Sequence, residues 1–269
     1  MMEAKIRKPA VAGSFYAGDA KELRQDVQNC FSRCKNPLME NVQAVIVPHA
    51  GYVFSGVTAA SAFAAINPDA EYEHIFLLGP SHHVYLGKAS VNIGVSAYAT
   101  PLGNVPVDTA LCKDLMEKSD AITYAQEAHE SEHCLEVELP FLQYHMKKLP
   151  SIVPIIIATQ ELTTLKKIAD TLKPYLNEKN LFVISSDFSH YPAYKDAEIV
   201  DGLTKDSIMT GKVEAFVNAT LHNQELGIDH LATSACGMAP IATLLMMTEN
   251  DAKIKPHHVM YCNSGDSPY

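Results

Sequence analysis

The 269-residue chain is 47% hydrophobic, enough to bury one large core, and carries 31 acidic against 21 basic side chains, for a formal charge of -10. No apolar run approaches the roughly 20 residues that span a bilayer, and the start, Met1-Met2-Glu3-Ala4-Lys5, lacks the apolar stretch of a signal peptide. An acidic balance without a basic run argues against nucleic acid, whose phosphates are bound by clustered Lys and Arg; a cytoplasmic protein without membrane or nucleic-acid partners is expected.

The predicted elements alternate. Asp19, with Glu22 three residues on, caps a helix running through Phe31. A strand at 43–47 leads through His49 and Gly51 into a helix over 57–66, and a strand at 74–79 runs into Ser81-His82-His83. Residues 91–95 alternate like a half-buried strand, 100–103 form a loop, and 107–118 are helical. The stretch 132–146 is predicted as a helix kinked or broken at Pro140. A strand at 152–158, a helix at 161–176, a strand at 181–185, helices across 194–221, a helix at 237–248 and a final strand at 257–262 complete the chain. Strands alternating with helices, without a linker, predict one α/β domain over 1–269. Its central sheet is expected to be mixed or largely parallel and flanked by helices.

Six cysteines without C-x-x-C spacing favour free thiols over a disulfide framework. Cys30 and Cys34 fall on the helical face of Leu23, Val27 and Phe31 and are assigned to the core, as is Cys112.

Three apolar strands end in titratable residues: Val45-Ile46-Val47-Pro48-His49, Ile75-Phe76-Leu77-Leu78-Gly79-Pro80-Ser81-His82-His83, and Leu181-Phe182-Val183-Ile184 followed by Ser185-Ser186-Asp187-Phe188-Ser189-His190. The carboxyl ends of strands in an open α/β sheet form its ligand-binding edge, so these groups are expected to converge there. His49 is a metal-ligand candidate; a turn histidine bonded to backbone is the other reading, and Gly51 and Gly79 suit tight turns in either case. His82 and His83 are adjacent and point in different directions, so only one is expected to face the centre that His49 faces. Asp187 and His190, three residues apart, can meet as a carboxylate orienting an imidazole for proton transfer, or as a capping Asp near a half-exposed His. Glu132, His133 and Glu136 form another cluster, with His133 and Glu136 on one helical face; a solvated surface is the bland reading. Cys236 precedes an apolar helix whose amide dipoles would stabilise a thiolate, the metal-binding and nucleophilic form. A buried, inert cysteine is the alternative.

Six blocks taken in order resemble the Memo family: Arg7-Lys8-Pro9-Ala10-Val11-Ala12-Gly13-Ser14-Phe15-Tyr16, Pro48-His49-Ala50-Gly51-Tyr52, Leu78-Gly79-Pro80-Ser81-His82-His83, Glu132-His133-Cys134-Leu135-Glu136-Val137-Glu138-Leu139-Pro140-Phe141, Ser185-Ser186-Asp187-Phe188-Ser189-His190 and Cys236-Gly237. The resemblance implies a fold like that of class III extradiol dioxygenases and a metal site in the matching cleft, with His49, His82 and Cys236 as ligands and Asp187, His190 and His133 lining it. It implies Fe(II) as the metal, with copper or zinc as alternatives. A thiolate in place of the carboxylate of a facial triad is softer and makes ring-opening activity doubtful. Implied partners are a small-molecule or peptide ligand in the cleft and, from bacterial relatives, radical SAM and AMMECR-type proteins.

Three readings follow. The first is a metal-dependent oxidoreductase in which His190, positioned by Asp187, is the general acid/base. The second is a non-catalytic peptide- or partner-binding module using the same cleft. The third is a metal-independent hydrolase with Cys236 as nucleophile and His190 as base.

Overall fold

The computed structural model describes residues 5–35 and 37–267; residues 1–4, 36 and 268–269 of the expected domain lie outside them. After a short strand β1 (Ile6–Arg7), helix α1 (Ala20–Ser32) starts where Asp19 accepts hydrogen bonds from the Lys21 and Glu22 amides, and it buries Leu23, Val27 and Cys30. Strand β2 (Ala44–Val47) is followed by α2 (Tyr52–Ala64), which begins a turn and a half earlier than its small-residue run suggests. Strand β3 (His74–Pro80) leads to β4 (Lys88–Val91), the hairpin β5 (Ala97–Thr100) and β6 (Gly103–Pro106), then α3 (Thr109–Lys118) and β7 (Ile122–Thr123). The one-turn helix α4 (Glu127–Glu130), α5 (Leu139–His145), β8 (Ile152–Ala158), α6 (Leu162–Leu172) and β9 (Asn180–Ser185) come next. Helices α7 (Tyr194–Met209), α8 (Val213–Glu225) and α9 (Met238–Thr248) close the order.

The main sheet has the order β2-β9-β3-β8-β4-β7. All neighbours are parallel except β8 and β4. Strands β8 and β9 are buried throughout and β3 nearly so, which is why their sequences are continuous runs of Ile, Leu, Val and Phe. Two helix groups flank the sheet. Helices α1, α2 and α5 pack on one another, and α9 packs against β3, β9 and α6. A small sheet of order β1-β5-β6 sits apart. The domain is thus α/β with a mixed, largely parallel sheet.

Three predicted elements are corrected. Residues 91–95 straddle the end of β4, because Asn92 accepts from the Gly94 amide and turns the chain. The stretch 132–146 is not one helix: 132–138 is a turn, and Pro140 lies in the first turn of α5, where a missing N–H costs nothing. Residues 257–262 form no strand. Their polar contacts go to helices instead: Thr58 Oγ1 to Cys262 Sγ at 2.8 Å and Ser61 Oγ to Met260 Sδ at 3.3 Å on α2, and the Tyr261 hydroxyl to Asp201 Oδ2 at 2.8 Å on α7. A cavity of about 1610 Å³ whose lining includes β2 and residues 250–265 separates that segment from the sheet edge.

Candidate metal centre

Parallel pairing sets Val47 beside Ser185 and Leu78 beside Ile184, so β2, β9 and β3 end together at one edge. His49, Asp187 and His82 each follow their strand by two residues, and Cys236 arrives just ahead of α9. Strand ends place these side chains on rigid supports, as a site requiring fixed geometry needs. One ligand atom from each of His49, His82 and Cys236 lies within 4.8 Å of those of the other two.

His49 is almost fully buried. Its Nδ1 is 2.7 Å from Ser185 Oγ and its Nε2 is 3.2 Å from Cys236 Sγ. Burial lowers its pKa to about 4, against the raising effect of Asp187, so the ring is neutral at pH 7 and keeps a lone pair. Asp187 Oδ1 accepts from the His49 and Ala50 amides at 2.8 and 3.2 Å, and Oδ2 lies 3.8 Å from His49 Nε2.

His82 is oriented differently. Its Nδ1 lies 2.9 Å from Glu132 Oε1 and its amide donates to Glu132 Oε2 at 2.8 Å, while Nε2 makes no hydrogen bond among the described residues. This carboxylate–imidazole pairing is the arrangement that orients metal-ligating histidines. The hydrogen bond to Glu132 raises the His82 pKa. Burial alone would raise the Glu132 carboxyl, but the hydrogen bonds from the His82 ring and from the His82 and Cys134 amides outweigh it and hold Glu132 at about 2. His133 stacks on His82 with ring centroids 4.9 Å apart, meets the His49 ring edge-on at 5.5 Å, and takes the edge of Phe15 at 4.8 Å. Its expected companion Glu136 does not share its face: in the 132–138 turn, Glu136 is directed to Arg7 and Tyr16. His83 is exposed, and one of its ring nitrogens lies within 4.8 Å of ligand atoms of Glu132 and His133, while His82 converges with His49 and Cys236.

The expected lowering of the Cys236 thiol by a helix start is not found. Burial, followed by the Asp187 carboxylate, pushes it up to about 12. Cys236 lies outside the N-cap, Gly237, and its sulfur faces the Asp187 amide at 3.2 Å and the His49 ring. Asp187 and His190 do approach each other, a ligand atom of each lying within 4.8 Å of the other and of Cys236 Sγ, but no hydrogen bond joins them among the described residues. The His190 backbone pairs with Thr233 and Ala232, and its Nε2 is buried with no hydrogen-bond partner among the described residues.

Two glycines hold this edge by their lack of a side chain rather than by turn geometry. A Cβ on Gly79, inside β3, would strike Cys134 Sγ and come within 2.8 Å of Leu135 Cδ2. A Cβ on Gly237 would strike Ser186 Cβ and lie 2.7 Å from the Ser185 carbonyl oxygen. Gly237→Ala is therefore expected to cost about 1–3 kcal/mol in urea unfolding and to move Cys236 away from His49. An unchanged unfolding midpoint would contradict this contact.

Sequence reasoning passed over Ser185 and Glu138. Ser185 Oγ bonds the Cys134 carbonyl at 2.7 Å and approaches Glu138 Oε1 at 3.1 Å. Their only trace in the sequence is a polar residue at the end of an apolar strand and a glutamate inside an apolar run.

The fold and this edge define an α/β protein with two imidazoles and a thiol converging at the carboxyl ends of parallel strands. The family model described as Memo-like protein matches residues 7–268. A MEMO1 family protein of Nitrosopumilus maritimus is 32% identical over 270 residues, covering 97% of this chain and 94% of the relative. Another, of Aeropyrum pernix, is 34% identical over 275 residues with the same coverage. The chain belongs to the Memo family. A crystal structure of an uncharacterized protein from Escherichia coli K12 is similar in fold, with a TM-score of 0.51 and 15% identity, covering 76% of this chain and 88% of that one. Among the described residues no helix is long and apolar enough to cross a membrane.

Proposed function

We propose that this Memo-family chain is a metal-binding protein whose ligands are His49, His82 and Cys236. The observation that carries the reading is their convergence within 4.8 Å, with both imidazoles already held at Nδ1. Two imidazoles and a thiol that gives up its proton on binding suit iron, copper(I) or zinc, and not magnesium or calcium, which take oxygen ligands. We take Fe(II) as the resident metal, which when bound would supply a redox and Lewis-acid centre, as in a non-haem iron oxidoreductase related to extradiol dioxygenases. Asp187 fixes the loop carrying His49 through two amides. His190, which lines the large cavity and whose Nε2 has no hydrogen-bond partner among the described residues, and His133, stacked on His82, are the proposed proton-transfer groups.

A second reading, a cleft that binds a peptide without turnover, is favoured by one observation. Tyr191 is 78% exposed next to His190, at a left-handed φ of 71°, and Phe54 and Tyr194 are exposed beside it on the large cavity. A bulky residue held at positive φ is a local strain that marks functional segments. The metal-free hydrolase has the least support, because a thiol at about 12 supplies almost no thiolate nucleophile and Cys236 is hydrogen-bonded to His49 rather than His190.

Protein loaded anaerobically with Fe(II) and desalted should retain about one metal per chain by elemental analysis, and His49→Ala, His82→Ala and Cys236→Ser should each reduce it to background. Retention unaffected by all three substitutions would overturn the assignment.

A further inference from the structure

The two imidazoles that converge at this edge are supported in unlike ways. His82 rests on a carboxylate, whereas His49 rests on a hydroxyl whose own partners are a carbonyl and a buried carboxyl. A serine hydroxyl has one proton, and the Cys134 carbonyl, 2.7 Å from Ser185 Oγ, can only accept it. With that proton assigned, Ser185 Oγ can only accept from its other neighbours. His49 Nδ1, at 2.7 Å, must then carry a hydrogen and donate it. Glu138 Oε1, at 3.1 Å, must donate as well, which requires the neutral acid.

The opposite arrangement, with Ser185 donating to an ionised Glu138, has a higher cost. Glu138 has no exposed surface and its Oε2 has no hydrogen-bond partner among the described residues, so a negative charge there would be buried and unpaired. Burial holds the Glu138 carboxyl well above the usual carboxylate range, in agreement with the neutral form. The hydrogen bonds then run in one direction, from Glu138 and from His49 into Ser185, and from Ser185 into the Cys134 carbonyl. At the other side of the ring, Nε2 is left as an acceptor, 3.2 Å from the Cys236 thiol that donates to it.

We propose that Ser185, backed by Glu138, is a positioning residue that locks His49 in the Nδ1–H tautomer and so presents the Nε2 lone pair to the metal. This rests on the reading of His49 as a ligand, but the tautomer can be measured without any metal. The alternative tautomer would turn an N–H toward the centre and would have to be undone before the ring could ligate. Support of a ligand histidine from behind commonly alters metal affinity by about 10–100-fold.

The test is ¹⁵N NMR of histidine-labelled, metal-free protein at pH 7.5, paired with Co(II) titration. In the wild type, His49 should show a protonated Nδ1 and an unprotonated Nε2. Ser185→Ala should bring in the Nε2–H form and weaken Co(II) binding by about 10–100-fold; Ser185→Thr, which restores a hydroxyl, should recover both. Glu138→Ala should have the same direction with a smaller effect. A wild-type His49 protonated at Nε2, or a Ser185→Ala protein with unchanged tautomer and affinity, overturns the proposal. Should Ser185→Ala fail to fold, the wild-type tautomer still decides it. A correct tautomer together with no Co(II) binding would instead sink the metal-site reading and leave the positioning intact.

Discussion

Glu136→Ala is expected to lower the stability of the domain by about 3–5 kcal/mol, the range for breaking a buried ion pair from one side. The Glu136 carboxylate is fully buried and receives Arg7 Nη1 at 2.7 Å, the Ala10 and Val11 amides at 2.7 and 3.1 Å, and the Tyr16 hydroxyl at 2.5 Å. Arg7, itself buried, also donates to the His129 and Glu132 carbonyl oxygens. This clasp fastens the first described segment onto α4 and the turn that follows it, and that turn carries both Glu132, which orients His82, and His133. Removing the carboxylate leaves the buried guanidinium without its counter-charge, although it keeps its carbonyl acceptors, and leaves the Ala10 and Val11 amides and the Tyr16 hydroxyl without their acceptor. Urea unfolding should show a large fall in midpoint, and metal retention should weaken because the Glu132–His82 contact loosens. The double substitution Arg7→Leu, Glu136→Leu should cost less than Glu136→Ala alone, since it removes both charges. A loss below about 1 kcal/mol, the value of an exposed pair, would contradict a working clasp.

Acid should unfold the protein earlier than its carboxylates alone would. His129 is buried between Ser90 Oγ at 3.0 Å and Tyr98 OH at 3.2 Å. Burial, followed by repulsion from Arg7, pushes it from an ordinary 6.5 down to about 3, and burial takes His49 from 6.5 to about 4. Both folded values are depressed, so the unfolded chain binds more protons below pH 6.5. Stability is therefore full above 6.5 and declines as pH falls toward 4, by up to roughly 1.4 kcal/mol per pH unit for each ring. Glu132, held at about 2, adds a further loss below its ordinary 4.5. Urea midpoints at pH 7.5, 6 and 5 should fall steadily in the wild type, and His129→Gln should flatten that slope. A wild-type stability that does not change between pH 7 and 5 would refute the buried neutral histidines.

The strands were legible because parallel, doubly covered strands are written as unbroken apolar runs, and β3, β8 and β9 are such runs. Their ends were legible too, since His49, His82 and Asp187 stand two residues past apolar segments that pair side by side. Contacts across long sequence distances were not. Nothing near Arg7 announces Glu136, 129 residues on, and nothing near Ser185 announces the Cys134 carbonyl. Periodicity also misled where polar groups took over: the 132–138 turn has apolar residues at helical spacing, but its glutamates bond to Arg7, His82 and Ser185 rather than to solvent. The place of Cys236 before a helix leaves an activated thiolate and a buried, inert thiol both open, and burial followed by Asp187 decides for the protonated thiol in the metal-free chain. The spacing of Asp187 and His190 correctly brings them within 4.8 Å of each other, but it does not reveal that the carboxylate also accepts from the His49 and Ala50 amides.

The central claim is that His49, His82 and Cys236 form one metal site, and X-ray absorption at the metal edge of anaerobically Fe(II)-loaded protein tests it most directly. The account predicts one sulfur scatterer per iron together with imidazole scattering, and loss of the sulfur shell in Cys236→Ser. An iron shell of nitrogen and oxygen alone in the wild type, or a sulfur shell that survives in Cys236→Ser, would contradict it.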